Sequence, residues 1–341
     1  MGGWDLSAVR NRLRPPYTVV LGSPREAAEL AAVLEDGPTT CYQMDLYQAD
    51  RLKEELERHA LAADMRAAAD LWDLPGDRQT VVFPTMRGGE RSLKIDMVEQ
   101  AFHLLRPRGH LVVLSPYEKD DLFAGLVKKV FGRYHAEVGR GQTIVWGQRE
   151  GDRPRRRHEI AYQARLGDLG LTFVSRPGVF SYGKLDEGAR ALLEVSEIHP
   201  GDRVLDLGCG VGTNGVFAGL RAGPEGAVTF LDSNLRAVAL AGLNARNNGL
   251  TAFRTVAAAD VGGLGPGRFD VVLANPPYYA QGTIARAFIE GARAVLRPGG
   301  RLWLVTRQAD QAFPCVEETF GRAEVVGRRG YAVISAAAPA G

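Results

Sequence analysis

Short apolar runs alternate with longer amphipathic stretches along the whole chain. In the second half, Arg203-Val204-Leu205-Asp206-Leu207, Val228-Thr229-Phe230-Leu231 and Phe269-Asp270-Val271-Val272-Leu273-Ala274 read as strands, the last of them buried and of parallel type. A helical pattern of Val216, Phe217 and Leu220 follows the first run. The stretch from Val81 to Leu114 aligns without a gap to the stretch from Val272 to Val305. Each reads as buried strand, loop, amphipathic helix, Arg-Pro-x-Gly turn and buried strand, with helices expected at about Lys94–Leu105 and Thr283–Leu296. Alternation of this kind predicts an α/β protein built from two copies of one Rossmann-like domain.

Length agrees with two copies, since 341 residues exceed one ordinary core and suit two domains of roughly 150 residues. The expected division is a first domain over 1–150, a basic linker and hairpin over 151–177, and a second domain over 178–341. Residues 151–180 carry six basic and three acidic side chains and open with Gly151-Asp152-Arg153-Pro154-Arg155-Arg156-Arg157-His158. Such a run is either a solvated connector or a phosphate contact, the latter making Arg155, Arg156 and Arg157 candidate RNA-binding residues. Ile160 to Val174 alternates loosely, as a short hairpin bridging the domains would.

The net charge of +2 does not suggest nucleic-acid binding by bulk charge alone. No apolar stretch approaches the ~18 residues of a membrane span. The start, Met1-Gly2-Gly3-Trp4-Asp5, lacks the basic and apolar regions of a secretion signal. Cys41, Cys209 and Cys315 are widely separated, which argues against disulfides and zinc. His59, His103, His110, His135, His158 and His199 show no metal-ligand spacing. A cytoplasmic protein without a metal is expected.

Chemistry concentrates in the second copy. The strand ending at Leu207 runs into Gly208-Cys209-Gly210-Val211-Gly212-Thr213-Asn214-Gly215 and then a helix, an order that brings a cofactor against backbone N–H groups. Asp232 stands at the tip of the next strand, placed to accept both hydroxyls of a ribose. Gly210-x-Gly212-x-x-Gly215 also satisfies the dinucleotide pattern. The spacing Gly208-x-Gly210-x-Gly212 after Asp206 resembles motif I of S-adenosylmethionine-dependent methyltransferases, and Asp260 fits that family's residue beside the adenine amino group. A sulfonium cation favours nearby carboxylates such as Asp206, which otherwise reads as a cap on the turn's N–H groups. The first copy has Val19-Val20-Leu21-Gly22-Ser23-Pro24 at the turn and Pro84-Thr85-Met86-Arg87 after its fourth strand, and reads as a fold kept without its site.

Asn275-Pro276-Pro277-Tyr278 follows the buried strand at its carboxyl end, where open α/β sheets bind ligands. Two prolines remove two backbone donors, and the residue before a proline is held extended. The Asn275 amide oxygen and the Pro276 carbonyl can then accept both hydrogens of a planar amine and aim its lone pair at a methyl donor, while Tyr278 offers a stacking face. The amine could belong to guanine N2, adenine N6, cytosine N4 or a glutamine side chain; the tetrapeptide does not choose among them.

Residues 177–341 resemble the bacterial ribosomal RNA guanine-N2 methyltransferases of the RsmC/RlmG type. The resemblance rests on Pro177-Gly178-Val179-Phe180-Ser181, Leu185-Asp186-x-Gly188, Leu205-Asp206-Leu207-Gly208-Cys209-Gly210, Asn247-Asn248-Gly249, Asn275-Pro276-Pro277-Tyr278 and Leu296-Arg297-Pro298-Gly299-Gly300. It implies tandem class I methyltransferase domains, the N-terminal one degenerate, and transfer of a methyl group from S-adenosylmethionine to ribosomal RNA or a ribosomal subunit. It further implies a donor site formed by Phe180, Asp186, Asp206, Gly208, Cys209, Gly210, Gly212, Asp232, Ser233, Asp260 and Asn275, with Asn275, Pro276, Pro277 and Tyr278 catalytic. Tyrosine after the two prolines is more typical of enzymes acting on adenine N6 or a protein glutamine, so those substrates stand as alternatives. A non-catalytic RNA-binding protein is the third reading.

Overall fold

The computed structural model describes residues 4–277 and 283–340. The chain forms two compact units, Met1–His158 and Glu159–Gly341. The division falls inside the stretch read as a linker: residues 151–158 group with the first unit, and the hairpin groups with the second.

The first unit runs β1 (Tyr17–Val20), α1 (Pro24–Val33), β2 (Thr39–Gln43), α2 (Leu46–Arg58), β3 (Asp64–Ala67), β4 (Arg78–Pro84), α3 (Arg91–Leu104), β5 (Leu105–Ser115), α4 (Asp121–Phe131), β6 (His135–Gly139) and β7 (Gln142–Gln148). Its sheet has the order β3-β2-β1-β4-β5-β7-β6. The first five are parallel, and β7 and β6 close the edge antiparallel.

The second unit opens with the hairpin β8 (Ile160–Leu166) and β9 (Leu169–Ser175). It continues as α5 (Glu187–Val195), β10 (Arg203–Leu207), α6 (Thr213–Ala222), β11 (Ala227–Asp232), α7 (Leu235–Asn247), β12 (Phe253–Ala257), β13 (Phe269–Ala274), α8 (Thr283–Val295), β14 (Leu296–Thr306), α9 (Ala309–Phe320), β15 (Glu324–Arg328) and β16 (Tyr331–Ala337). Its sheet order is β12-β11-β10-β13-β14-β16-β15, the same sequence of positions as in the first unit.

Burial explains the apolar runs. All six residues of β13 are buried, as a parallel strand covered on both faces requires. Successive β10 residues face opposite cores: Val204 packs with α5, α6 and α7 through Leu192, Phe217 and Ala241, and Leu205 packs with α8 and α9 through Ile289 and Val316. Each aliphatic side chain so enclosed contributes about 1.5–3 kcal/mol.

The Arg-Pro-x-Gly stretches differ from their sequence reading. They end the helices, but they form no separate turn: Leu105 and Leu296 already pair with Arg78 and Phe269, and a register shift follows in each ladder. Proline excludes continued helix, and the chain goes straight into extended, bulged strand.

Candidate active site

β10 pairs with both β11 and β13, with Leu207 opposite Leu231 on one side and Ala274 on the other. The next residue of each strand is Gly208, Asp232 and Asn275, so the three sequence-predicted features stand side by side on the sheet's carboxyl edge.

The glycine turn is built from left-handed backbone. Gly208, Gly210 and Gly212 have φ of 70°, 53° and 86°, and Gly212 leads directly into α6. Their surroundings separate their roles. A Cβ on Gly212 would lie 3.0 Å from the Ala241 Cα, and one on Gly215 would lie 2.3 Å from a Phe230 ring atom, so these two permit close packing. A Cβ on Gly210 would meet nothing within 4 Å, which leaves its backbone accessible to a ligand. Cys209 is buried, and burial followed by the charges of Asp232 and Asp206 pushes its thiol well above the ordinary range. Its place in the turn is therefore a backbone one.

Asp232 closes the turn, accepting from Gly210 N and Asn234 N, both at 2.8 Å. A carboxylate offers about four acceptor positions, so ribose hydroxyls can still be received. Ser233 follows it, half-buried. Asp206 is sealed beneath the turn and accepts from Gly215 N at 2.8 Å, the capping role among its two readings. Its second oxygen is enclosed without a hydrogen-bond partner. Burial, partly offset by the Gly215 N–H, pushes its carboxyl up to about 8. Asp260 is exposed beyond β12 and accepts from Gly262 N at 2.7 Å.

The Pro177–Ser181 stretch is held against the start of α7. Asn234 donates to the Gly178 carbonyl at 2.8 Å, and the fully buried Arg236 donates to the Pro177 carbonyl. Phe180, 55% exposed, is thereby presented on the surface by a fixed backbone. Asp186 caps α5 through Ala189 N at 2.8 Å and also accepts from the Asn275 amide at 2.9 Å. Pro276 is buried and Pro277 half-buried; Tyr278 lies outside the described residues.

Asn234 and Arg236 were not read from the sequence. Asn234 carried the signal of a helix cap before Leu235, whereas buried Arg236 had no local signature. Asn244 exchanges hydrogen bonds with both backbone groups of Val174 and donates to the Val211 carbonyl, all at 2.8–2.9 Å, tying the hairpin to the glycine turn. Tyr162 of β8 places its hydroxyl 3.5 Å from the Thr213 hydroxyl, with its ring stacked on Phe173. The hairpin is thus a wall of the second unit.

In the first unit the same corner is remodelled. Ser23 caps α1 in a capping box with Glu26 immediately after Gly22, which shortens the turn. Gln43 ends β2 and donates to the Gly22 carbonyl at 3.2 Å. Pro84 takes the place of Asn275, and a Cβ on Gly22 would lie 2.9 Å from its ring. Arg155, Arg156 and Arg157 are exposed on this unit, with the Arg155 guanidinium 5.6 Å from the Trp72 ring centre. Arg153 anchors the segment on the Lys129 and Val130 carbonyls.

The family described as the methyltransferase small domain matches residues 170–335. The second unit belongs to that family. Curated relatives of this methyltransferase domain include a ribosomal RNA small subunit methyltransferase C from Chromohalobacter salexigens, 40% identical over 171 residues, 48% of this chain and 50% of its own length. A ribosomal RNA large subunit methyltransferase G from Streptomyces coelicolor is 36% identical over 49% of this chain and 46% of its own. The matches thus span about half the length of these relatives. The 16S rRNA N2 methyltransferase of Thermus thermophilus, solved in complex with AdoMet and guanosine, superposes with a TM-score of 0.78 over 97% of this chain and 90% of its own, at 22% identity. That likeness shows the fold of the two units, each a mixed sheet of Rossmann-like strand order.

The methyltransferase site fits S-adenosylmethionine on its own terms. Gly210 leaves an open cradle, Asp232 presents a carboxylate beside it, and Asp206 holds an unsatisfied oxygen below. Among the described residues no group of three His, Cys, Asp or Glu could hold a metal, and no helix is long and apolar enough to cross a membrane.

Proposed function

We propose that the chain is an S-adenosylmethionine-dependent N-methyltransferase acting on an exocyclic amine of ribosomal RNA, with guanine N2 as the target. The observation that carries this reading is the alignment of Gly208, Asp232 and Asn275 at the ends of three adjacent strands. The ribosomal RNA methyltransferase activity of the relatives supports the substrate, and the N2 specificity of the Thermus thermophilus enzyme with its bound guanosine supports the choice of base.

When bound, S-adenosylmethionine supplies an electrophilic methyl group carried on a sulfonium. Asp232 and the glycine turn hold the nucleoside end. The Asn275 oxygen and the Pro276 carbonyl accept the two amine hydrogens, which draws the nitrogen out of conjugation and turns its lone pair toward the methyl. Positioning of this kind needs no strong base before transfer; the surplus proton leaves the nitrogen afterwards. A target base in a helix must leave its stack to reach Asn275. We assign Arg155, Arg156 and Arg157 and the first unit to holding the RNA or ribosomal subunit, in the cytoplasm.

Mass spectrometry of ribosomal RNA nucleosides from a deletion strain should show loss of one N2-methylguanosine. Asn275→Ala should remove all but residual turnover with S-adenosylmethionine binding retained; a fully active variant refutes its role. Methylation of release factor but not ribosomal subunits would select the glutamine alternative, and N6-methyladenosine as the missing nucleoside would select adenine. Absence of S-adenosylmethionine binding in calorimetry would leave the non-catalytic RNA-binding reading.

A further inference from the structure

Asp186 and Asn275 are 89 residues apart in sequence and meet at 2.9 Å. An amide has two chemically opposite ends, one a donor and one an acceptor, and a carboxylate can only accept. The end of Asn275 facing Asp186 is therefore its NH2, and the carbonyl oxygen occupies the other position. An Asn275 flipped by 180° would present donors to a donor, and an incoming amine would be repelled. We propose that Asp186 is the positioning residue that sets the orientation of the Asn275 amide and so makes the site selective for an amine.

Two observations make this contact more than a chance approach. The same Asp186 oxygen accepts from Ala189 N at 2.8 Å, so the carboxylate is anchored as the cap of α5 and cannot swing away freely. Asn275 in turn is held extended ahead of Pro276 and Pro277 at the end of a fully buried strand. Both partners are thus fixed by backbone before they meet, the condition for a preorganised acceptor. Negative charge behind the NH2 also polarises the amide and raises electron density on its oxygen, which favours the charge that develops on the attacking nitrogen. The contact adds a function to the donor-site role that resemblance implies for Asp186.

The inference rests on the methyltransferase reading, and one set of measurements separates the two. Serine caps helices as well as aspartate does but is too short to keep the contact, whereas asparagine keeps the cap and the length but offers a donor as well as an acceptor, so it no longer fixes which end of Asn275 faces it. Full-length protein is assayed with labelled S-adenosylmethionine and ribosomal subunits. Asp186→Ser should keep the melting temperature and lower kcat by roughly 10–100-fold, a larger change than in the KM for S-adenosylmethionine. Asp186→Asn should lower kcat to a similar extent, because its amide accepts either orientation of Asn275. In an Asn275→Ala background, Asp186→Ser should lower residual turnover no further. Wild-type kcat in Asp186→Ser overturns the proposal and leaves the methyltransferase reading intact. So does wild-type kcat in Asp186→Asn, or an additive loss in the double variant. If Asp186→Ser fails to fold, the Asp186→Asn variant alone and in the Asn275→Ala background decides by the same criteria. Wild-type protein that methylates no acceptor overturns both.

Discussion

The carboxylate of Asp232 and the backbone nitrogen of Gly210 lie 2.8 Å apart, joining the tip of one strand to the turn that leaves its neighbour. The other oxygen of Asp232 takes Asn234 N, so one side chain holds both the glycine turn and the start of α7. A residue read for its contact with ribose is also a structural clasp of the site it serves. Asp232→Asn should weaken S-adenosylmethionine binding roughly 10–100-fold, because a charged acceptor of this kind contributes about 1.5–3 kcal/mol. Isothermal calorimetry measures it; an unchanged Kd would remove Asp232 from the donor site.

Asp206 makes stability depend on pH. Its carboxyl rises from an ordinary 3.8 in the unfolded chain to about 8 in the fold, chiefly through burial. Between those values the folded protein keeps a proton that the unfolded chain has released, so this contribution is complete below about pH 4 and is lost as pH rises toward 8. Asparagine keeps the acceptor for Gly215 N but cannot ionise. The Asp206→Asn variant, without S-adenosylmethionine, should therefore gain melting temperature relative to wild type on going from pH 5 to pH 8. A difference independent of pH would contradict the burial argument.

Gly210 and Gly215 should fail differently. Gly210→Ala costs about 1–2 kcal/mol for a left-handed residue, and its methyl enters open space on the ligand side, so the protein folds but binds S-adenosylmethionine poorly. Gly215→Ala drives a methyl to 2.3 Å from the Phe230 ring beside buried Asp206, so the fold itself should suffer. Parallel melting and binding curves distinguish them; equal stability of the two variants would count against this division.

Asn244 should matter for stability without touching any ligand. Its amide serves Val174 N, Val174 O and Val211 O from a fully buried position. Asn244→Ala strands these groups and should cost about 2–4 kcal/mol, read as a lower urea midpoint. A midpoint equal to wild type would show that the hairpin is held by apolar packing alone.

Much of the molecule was legible in local pattern. Apolar runs announced the strands, the gapless repeat from Val81 and Val272 coincides with two sheets of identical strand order, and Gly208-x-Gly210-x-Gly212, Asp232 and Asn275 marked the sheet edge where the candidate site lies. These features depend on neighbours a few residues away, because periodicity, backbone dihedrals and proline geometry are local properties. Tertiary structure decided what joins distant elements. It alone paired Asp186 with Asn275, buried Arg236 under Pro177, and set the Ile160–Ser175 hairpin against α7. It alone placed Pro84, which stands where the second unit has Asn275, against Gly22. Such contacts arise from strand register and helix packing across the folded chain, and side-chain order along the sequence does not specify them.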